Sequence, residues 1–184
     1  MEFIQELDFT ILNLIYENLR NNFMNIIMPI ITILGDWGVL FIMLSSILIF
    51  TKKYRKLGIT MLLALALGFF IGNIILKPLV GRIRPYDINT NIVMLVKSLR
   101  DYSFPSGHTL GAFEVATVLT CHNKRLGKYA FTIASLIGFS RLYLYVHFPT
   151  DVLVGAILGT VFGVISHIIV NYFYERRSNK NNFI

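Results

Sequence analysis

LGITMLLALALGFFIGNIIL, at residues 57–76, is a run of twenty residues that contains no charged side chain. A helix needs about 20 predominantly apolar residues to cross the hydrocarbon core of a bilayer. A second apolar block covers residues 151–174, where Asp151 at the start is the only Asp, Glu, Lys or Arg. These blocks predict an all-α protein that folds as a polytopic membrane helix bundle.

The composition agrees with a membrane protein. Of the 184 residues, 55% are hydrophobic and 15% are charged, whereas a soluble domain has about 25% charged residues. The formal net charge is +7, which on a soluble protein would suggest a nucleic-acid partner. Between apolar blocks, this charge fits membrane topology and anionic headgroups better. We therefore expect one integral membrane domain and no nucleic-acid partner, and the sequence leaves the oligomeric state open.

Five segments are expected to span the membrane, namely 37–51, 57–76, 106–122, 128–146 and 151–174. Residues 1–36 are expected to form interfacial helices, because residues 5–19 mix apolar and charged side chains and residues 23–34 are too short to span. A single tilted span over residues 9–34 is the alternative, and it would raise the count to six.

Basic residues near the ends of the spans predict the orientation. The connections 51–57 and 122–128 and the tail 175–184 all carry several Lys or Arg residues. Alternating spans place all three on one side, which we assign to the cytoplasm. The chain thus divides into N-terminal interfacial helices (1–36), a transmembrane domain (37–174) and a cytoplasmic basic tail (175–184).

The segment 77–105 then faces the outside of the cell membrane. Its five Lys and Arg residues outnumber Asp87 and Asp101, although the topology rule favours basic loops in the cytoplasm. We therefore expect these cations to have a role other than orientation.

Glycines recur every four residues in the last apolar block, at Gly155, Gly159 and Gly163, and in the second block at Gly68 and Gly72. Small residues at this spacing let two helices approach closely. We expect them to pack helices within one bundle.

Three separate segments concentrate titratable residues at the outer ends of the spans. They are KPLVGRIRP at 77–85, PSGH at 105–108, and the stretch from Ser140 to Asp151. Lys77, Arg84 and Arg141 supply cations that suit phosphate oxygens. Arg141 is the most informative, because a charge inside an apolar run is costly and indicates function.

The second and third segments also contain catalytic residue types. Ser106 and Gly107 begin a helix, where Ser caps free N–H groups and the backbone can bind an anion. Helix capping does not explain His108, because a cap does not require a histidine. His108 therefore favours a functional role for this segment. His147 and Asp151 are four residues apart, so the carboxylate can hold one ring nitrogen and leave the other free to attack.

Together, Lys77 with Arg84-Pro85, Pro105-Ser106-Gly107-His108, and Ser140-Arg141 with His147 and Asp151 resemble the signature segments of the type 2 phosphatidic acid phosphatase (PAP2) superfamily. The resemblance covers roughly residues 57–174. It implies that His147 attacks phosphorus, that Asp151 orients it, and that His108 is the general acid and then the base. It also implies that Lys77, Arg84, Arg141, Ser106 and Gly107 bind the phosphoryl group, with no metal or other cofactor.

The chemistry of the residues agrees with this resemblance. Three fixed cations and backbone N–H groups can neutralise a phosphoryl group during transfer. Two histidines and an aspartate could instead bind zinc, but the adjacent cations would repel a divalent ion. We therefore expect a lipid phosphatase, acting on undecaprenyl diphosphate, phosphatidylglycerol phosphate or phosphatidic acid. A phosphotransferase and a non-catalytic protein that binds anionic lipids are the alternatives.

Overall fold

The computed structural model describes residues 2–181, and every regular element within them is helical. The α-helices are α1 (Glu2–Leu19), α2 (Asn22–Ile33), α3 (Val39–Phe50), α4 (Arg55–Gly68), α5 (Lys77–Val80), α6 (Pro85–Ile88), α7 (Gly107–His122), α8 (Lys124–Tyr143) and α9 (Pro149–Asn181). A 3₁₀ turn, Asp36–Gly38, precedes α3, and a π-helix, Phe69–Leu76, joins α4 to α5. The all-α prediction is confirmed.

Local sequence signals explain several helix ends. The Asn21 side chain accepts a hydrogen bond of 3.0 Å from the backbone N–H of Met24 and caps α2, and Asn123 caps α8 in the same way. Helix α5 ends at Gly81, whose φ of 60° lies in the left-handed region that favours glycine. The helix therefore ends four residues after Lys77, within the segment predicted to face outward.

The centre of the bundle is α7, which packs against α4, α8 and α9. A Cβ added to Gly155 would lie 2.8 Å from the carbonyl oxygen of Ser106, and one added to Gly159 would lie 2.4 Å from that of Leu110. Glycine at these positions lets the backbones of α7 and α9 touch. The prediction that the glycines pack helices within one bundle is confirmed.

Two helical stretches within the described residues are long and apolar enough to cross a membrane, namely Arg55–Ile88, which is interrupted at residues 81–84, and Pro149–Arg177. Helices α2 and α3 are apolar but shorter. Large apolar side chains such as Phe50 and Leu153 face outward, as they would toward lipid. These features agree with a membrane bundle, and the five-span count stays a prediction.

The helices expected within residues 1–36 are present as α1 and α2, and they pack against the rest of the bundle. Leu12 of α1 and Met28 of α2 are buried in one apolar cluster with the turn between α8 and α9. Their position relative to the bilayer stays a prediction, but the packing places α1 and α2 beside the turn that contains His147.

We expect Gly159→Leu to destabilise the bundle by about 3 kcal/mol, because overpacking a tight contact forces the backbones apart. Thermal unfolding of the purified protein in detergent measures this change. The control is Ile157→Phe, which adds volume on the exposed face of α9. Equal unfolding temperatures for the two variants would contradict the packing argument.

Candidate active site

The structure brings the first and third predicted segments together around the ring of His147. This residue lies in the turn between α8 and α9 and is almost fully buried. Nη1 of Arg84 lies 3.3 Å from its Nε2, and the same guanidinium nitrogen donates to the carbonyl oxygen of Val146 at 2.7 Å. Nε2 of His147 therefore points toward a fixed cation.

The opposite side of the imidazole faces Asp151, in the first turn of α9. Oδ2 of Asp151 lies 3.6 Å from Nδ1 of His147, which is too long for a hydrogen bond. The hydroxyl of Ser103 bridges the two groups, because it lies 3.4 Å from Nδ1 and donates to Oδ2 of Asp151. The expected partner of His147 is thus nearby, and Ser103, which the sequence did not single out, lies between them.

The carboxylate of Asp151 is held by two further donors. The backbone N–H of Phe148 donates to Oδ2 at 2.8 Å, and Nη1 of Arg82 donates to Oδ1 at 2.6 Å. Together with Ser103, these donors bind both oxygens of the fully buried Asp151 carboxylate. The position of the carboxylate therefore does not depend on His147.

The environment of His147 favours its neutral form. Burial lowers the pKa of the imidazole well below its usual range, and the positive charges of Arg84, Arg141 and Lys77 lower it further. A neutral imidazole keeps a lone pair on one nitrogen, which nucleophilic attack requires.

Lys77 and Arg84 meet at one carboxylate, that of Asp101. Nη2 of Arg84 donates to its Oδ1 at 2.6 Å, and Nζ of Lys77 donates to Oδ2. Burial alone would raise the pKa of Asp101, but the hydrogen bonds and charges of Lys77 and Arg84 outweigh it and hold the pKa at about 2. Two of the three predicted phosphate-binding cations are therefore adjacent.

Arg141, the third predicted cation, is buried in the last turn of α8. Its Nη1 donates to the hydroxyl of Thr32 at 2.5 Å, and its Nε has no hydrogen-bond partner among the described residues. Among the described residues, no carboxylate lies within ion-pair distance of Arg141. Its charge still reaches His147 and remains available to an anion.

The second segment reaches the site from the start of α7. Ser106 occupies the N-cap position, but its hydroxyl lies 2.9 Å from that of Thr109 and makes no capping bond, so the expected side-chain cap is wrong. The backbone N–H of Ser106 donates to the carbonyl oxygen of Asp151 at 3.1 Å, which ties this segment to α9. A Cβ on Gly107 would lie 3.1 Å from Oδ1 of Asn73, so the backbone there is closely packed.

His108 is held by an acidic residue of the 3₁₀ turn that precedes α3. Its Nε2 lies 2.7 Å from Oδ1 of Asp36. Because a carboxylate can only accept, Nε2 is the donor, which fixes the imidazole tautomer. Gly35 makes room for the ring, since a Cβ there would lie 2.9 Å from Cδ2 of His108.

The carboxylates of the site contact basic side chains. Within residues 2–181, no three His, Cys, Asp or Glu side chains are grouped as a metal ion would need. The carboxylates of Asp101 and Asp151 contact Lys or Arg instead, and each carboxylate lies beside a residue proposed for phosphate chemistry.

Comparison with known proteins identifies the family. The model of the PAP2 superfamily matches residues 53–175, a range that includes all three segments. The chain belongs to the PAP2 superfamily.

Several PAP2 relatives have names that specify a substrate. The undecaprenyl-diphosphatase of Sulfolobus acidocaldarius is 31% identical over 66% of this chain, and the match spans 59% of that relative's length. Phosphatidylglycerophosphatase B of Bacillus subtilis is 36% identical over 77% of this chain and 72% of its own. The names of both relatives describe phosphatases.

The fold agrees with a solved PAP2 structure. The crystal structure of a transmembrane PAP2-type phosphatidylglycerolphosphate phosphatase from Bacillus subtilis superposes with a TM-score of 0.75 at 30% identity. The match covers 96% of this chain and 88% of that one, so α1 and α2 belong to the shared architecture.

One buried ion-pair network lies partly outside the segment that the PAP2 model matches. Asp8 of α1 accepts from Nη2 of Arg82 at 2.6 Å and from the backbone N–H of Thr150 at 3.0 Å. The same guanidinium reaches Asp151 and stacks on the ring of Phe148, with Cζ 3.9 Å from its centroid. Helix α1 thereby contacts the first turn of α9 through Arg82.

Sequence reasoning missed Asp8 and Arg82, but a signal for Asp8 exists. Asp8 lies four residues before Leu12, so helical periodicity places both on one face, and both are buried. An acid on the apolar face of an amphipathic helix indicates a buried cation.

We expect Asp8→Asn to reduce the free energy of unfolding by about 3 kcal/mol, because it breaks a buried ion pair and removes one of the two carboxylates that hold Arg82. Thermal unfolding in detergent measures the loss. Glu6→Gln removes the same charge at an exposed position of α1 and serves as the control. A stability equal to that of the control would show that the network contributes nothing.

Proposed function

We propose that this protein is an integral membrane phosphatase that hydrolyses a phosphate or diphosphate monoester of a lipid through a phosphohistidine on His147. The observation that carries the proposal is the buried imidazole itself. Its Nε2 faces Arg84, while Ser103 and Asp151 lie at its Nδ1. A nucleophile oriented on one side and exposed to a cation on the other suits attack on an anionic phosphorus centre.

In the first step, the lone pair of Nε2 of His147 attacks the terminal phosphorus, an N–P bond forms, and the P–O bond to the leaving lipid alcohol or lipid phosphate breaks. His108 acts as general acid in its doubly protonated form: Nε2–H stays on Asp36, and the Nδ1 proton passes to the leaving oxygen. In the second step, His108 takes a proton from water, the water oxygen attacks phosphorus, and the N–P bond breaks. Inorganic phosphate leaves and His147 is regenerated.

Charge neutralisation comes from Lys77, Arg84 and Arg141. The loose transition state of phosphoryl transfer spreads charge over three equatorial oxygens, and preorganised cations stabilise that charge without reorganising. Ser106 and the backbone of Gly107 supply the remaining contacts. In this scheme Asp151 orients His147, and no metal takes part.

The proposed membrane arrangement has five spans and an extracytoplasmic site. Support comes from the direction of the helices. The C-terminal ends of α4–α5 and α8 meet the N-terminal ends of α7 and α9 around the site, as successive antiparallel spans would. In this arrangement residues 1–36 precede the transmembrane catalytic domain, 37–174, and residues 175–184 form a cytoplasmic tail.

The substrates we propose are undecaprenyl diphosphate, phosphatidylglycerol phosphate and phosphatidic acid. Support comes from relatives named undecaprenyl-diphosphatase and phosphatidylglycerophosphatase B. We favour the isoprenoid diphosphate, because two relatives, from Sulfolobus acidocaldarius and Bacillus subtilis, are named undecaprenyl-diphosphatase.

Release of inorganic phosphate from a panel of purified lipid phosphates and diphosphates tests the function. We expect His147→Gln to reduce the rate at least about 1000-fold, as loss of a catalytic nucleophile does. His122→Gln, at an exposed position on the opposite end of α7, should retain wild-type activity.

The same panel separates the alternatives. Activity that survives excess chelator supports the metal-independent mechanism, and loss of activity restored by a metal would overturn it. Product formation that requires a lipid acceptor would identify a phosphotransferase. Wild-type protein that binds the lipids but releases no phosphate would identify a non-catalytic lipid-binding protein.

A further inference from the structure

Asp101 places a carboxylate between two of the cations to which the proposed function assigns phosphate binding. Its Oδ1 accepts from Nη2 of Arg84 at 2.6 Å, and its Oδ2 accepts from Nζ of Lys77. The two carboxylate oxygens of Asp101 thus occupy the donors that two oxygens of a bound phosphoryl group would need. A phosphoryl group can reach both cations only if the carboxylate moves away.

The surroundings permit this exchange. The side chain of Asp101 is 52% exposed, and the residue lies in a non-helical stretch between α6 and α7. Arg84 has other anchors, because its Nε donates to the backbone oxygen of Asp101 at 2.9 Å and its Nη1 donates to that of Val146 at 2.7 Å. The guanidinium therefore stays in place when the carboxylate rotates toward solvent.

We propose that Asp101 is a specificity-determining residue, whose carboxylate competes with phosphoryl groups for Lys77 and Arg84. This inference rests on the proposed function, and it names the charge that a ligand must carry. A terminal phosphate bears a charge of about −1.5 to −2 at neutral pH, whereas a phosphodiester headgroup bears only one negative charge.

The charge difference decides which ligands bind. Lys77 and Arg84 carry two positive charges, and Asp101 already compensates one of them. A phosphodiester that replaces the carboxylate only exchanges one negative charge for another, so the electrostatic contribution to its binding is small. A terminal phosphate or diphosphate brings about one additional charge, and that surplus favours displacement. Asp101 thereby keeps abundant diester lipids from occupying the site.

The competition operates over the physiological pH range. Burial would raise the pKa of Asp101, but the hydrogen bonds and charges of Lys77 and Arg84, which face the carboxylate, keep it at about 2. The carboxylate is therefore ionised from pH 6 to pH 8. The effect of removing its charge should be constant across that range.

Calorimetric titration of the detergent-purified full chain tests the proposal, with inorganic phosphate and a short-chain phosphatidylglycerol as the two probes. We expect Asp101→Asn to bind inorganic phosphate about tenfold more tightly, which corresponds to about 1.4 kcal/mol. It should also bring diester binding into the measurable range. Asp87→Asn removes the same charge at an exposed position of the same segment and should bind both probes as the wild type does.

Asp101→Glu restores a carboxylate and should return the wild-type affinities. If the amide variant does not fold, Asp101→Ser gives the same expectation. Unchanged or weaker phosphate binding in the uncharged variants would overturn the proposal, because it would mean that Asp101 only positions the cations. Binding is measured without turnover, so failure of the phosphatase proposal would appear separately, as absent phosphate release by the wild type.

Discussion

The site depends on the burial of one guanidinium, that of Arg84. Its exposed fraction is 2%, and an isolated buried charge would be very unfavourable. Its donors reach the oxygens of Asp101, Tyr102 and Val146. These partners belong to two segments that lie far apart in the chain, so satisfying one cation holds the 77–105 loop against the turn that contains His147. The position of the imidazole follows from that requirement.

Three acidic residues near the site form ion pairs or hydrogen bonds with the basic side chains around it. Asp101 contacts Lys77 and Arg84, Asp36 holds His108, and Asp8 holds Arg82 beside Asp151. Two of these three acids come from residues 1–36. Residues 1–36 are therefore part of the structure that positions the groups proposed for catalysis, even though the PAP2 model begins at residue 53.

Local patterns in the sequence predicted the helical class and the packing of glycines within one bundle, and they placed the signature segments at the same ends of the spans. They could not predict that Asp36 pairs with His108. The two residues are 72 positions apart, and the local sequence around each contains no signal for the other. Ser106 fits the N-cap preference, yet its hydroxyl contacts Thr109, since a tertiary alternative outweighed the local one. The number of spans depends on the position of the bilayer, which is not a property of the chain alone.

The geometry around Asp151 changes the expected picture of a simple His–Asp pair. Oδ1 binds Arg82, while Oδ2 accepts from Ser103 and from the backbone of Phe148. A carboxylate fixed by three donors from separate parts of the chain cannot turn freely toward His147. The orientation of the imidazole is then transmitted through Ser103, which contacts both groups. Orientation of the nucleophile is thus a property of the assembled bundle, because Arg82 is itself held by Asp8 of α1.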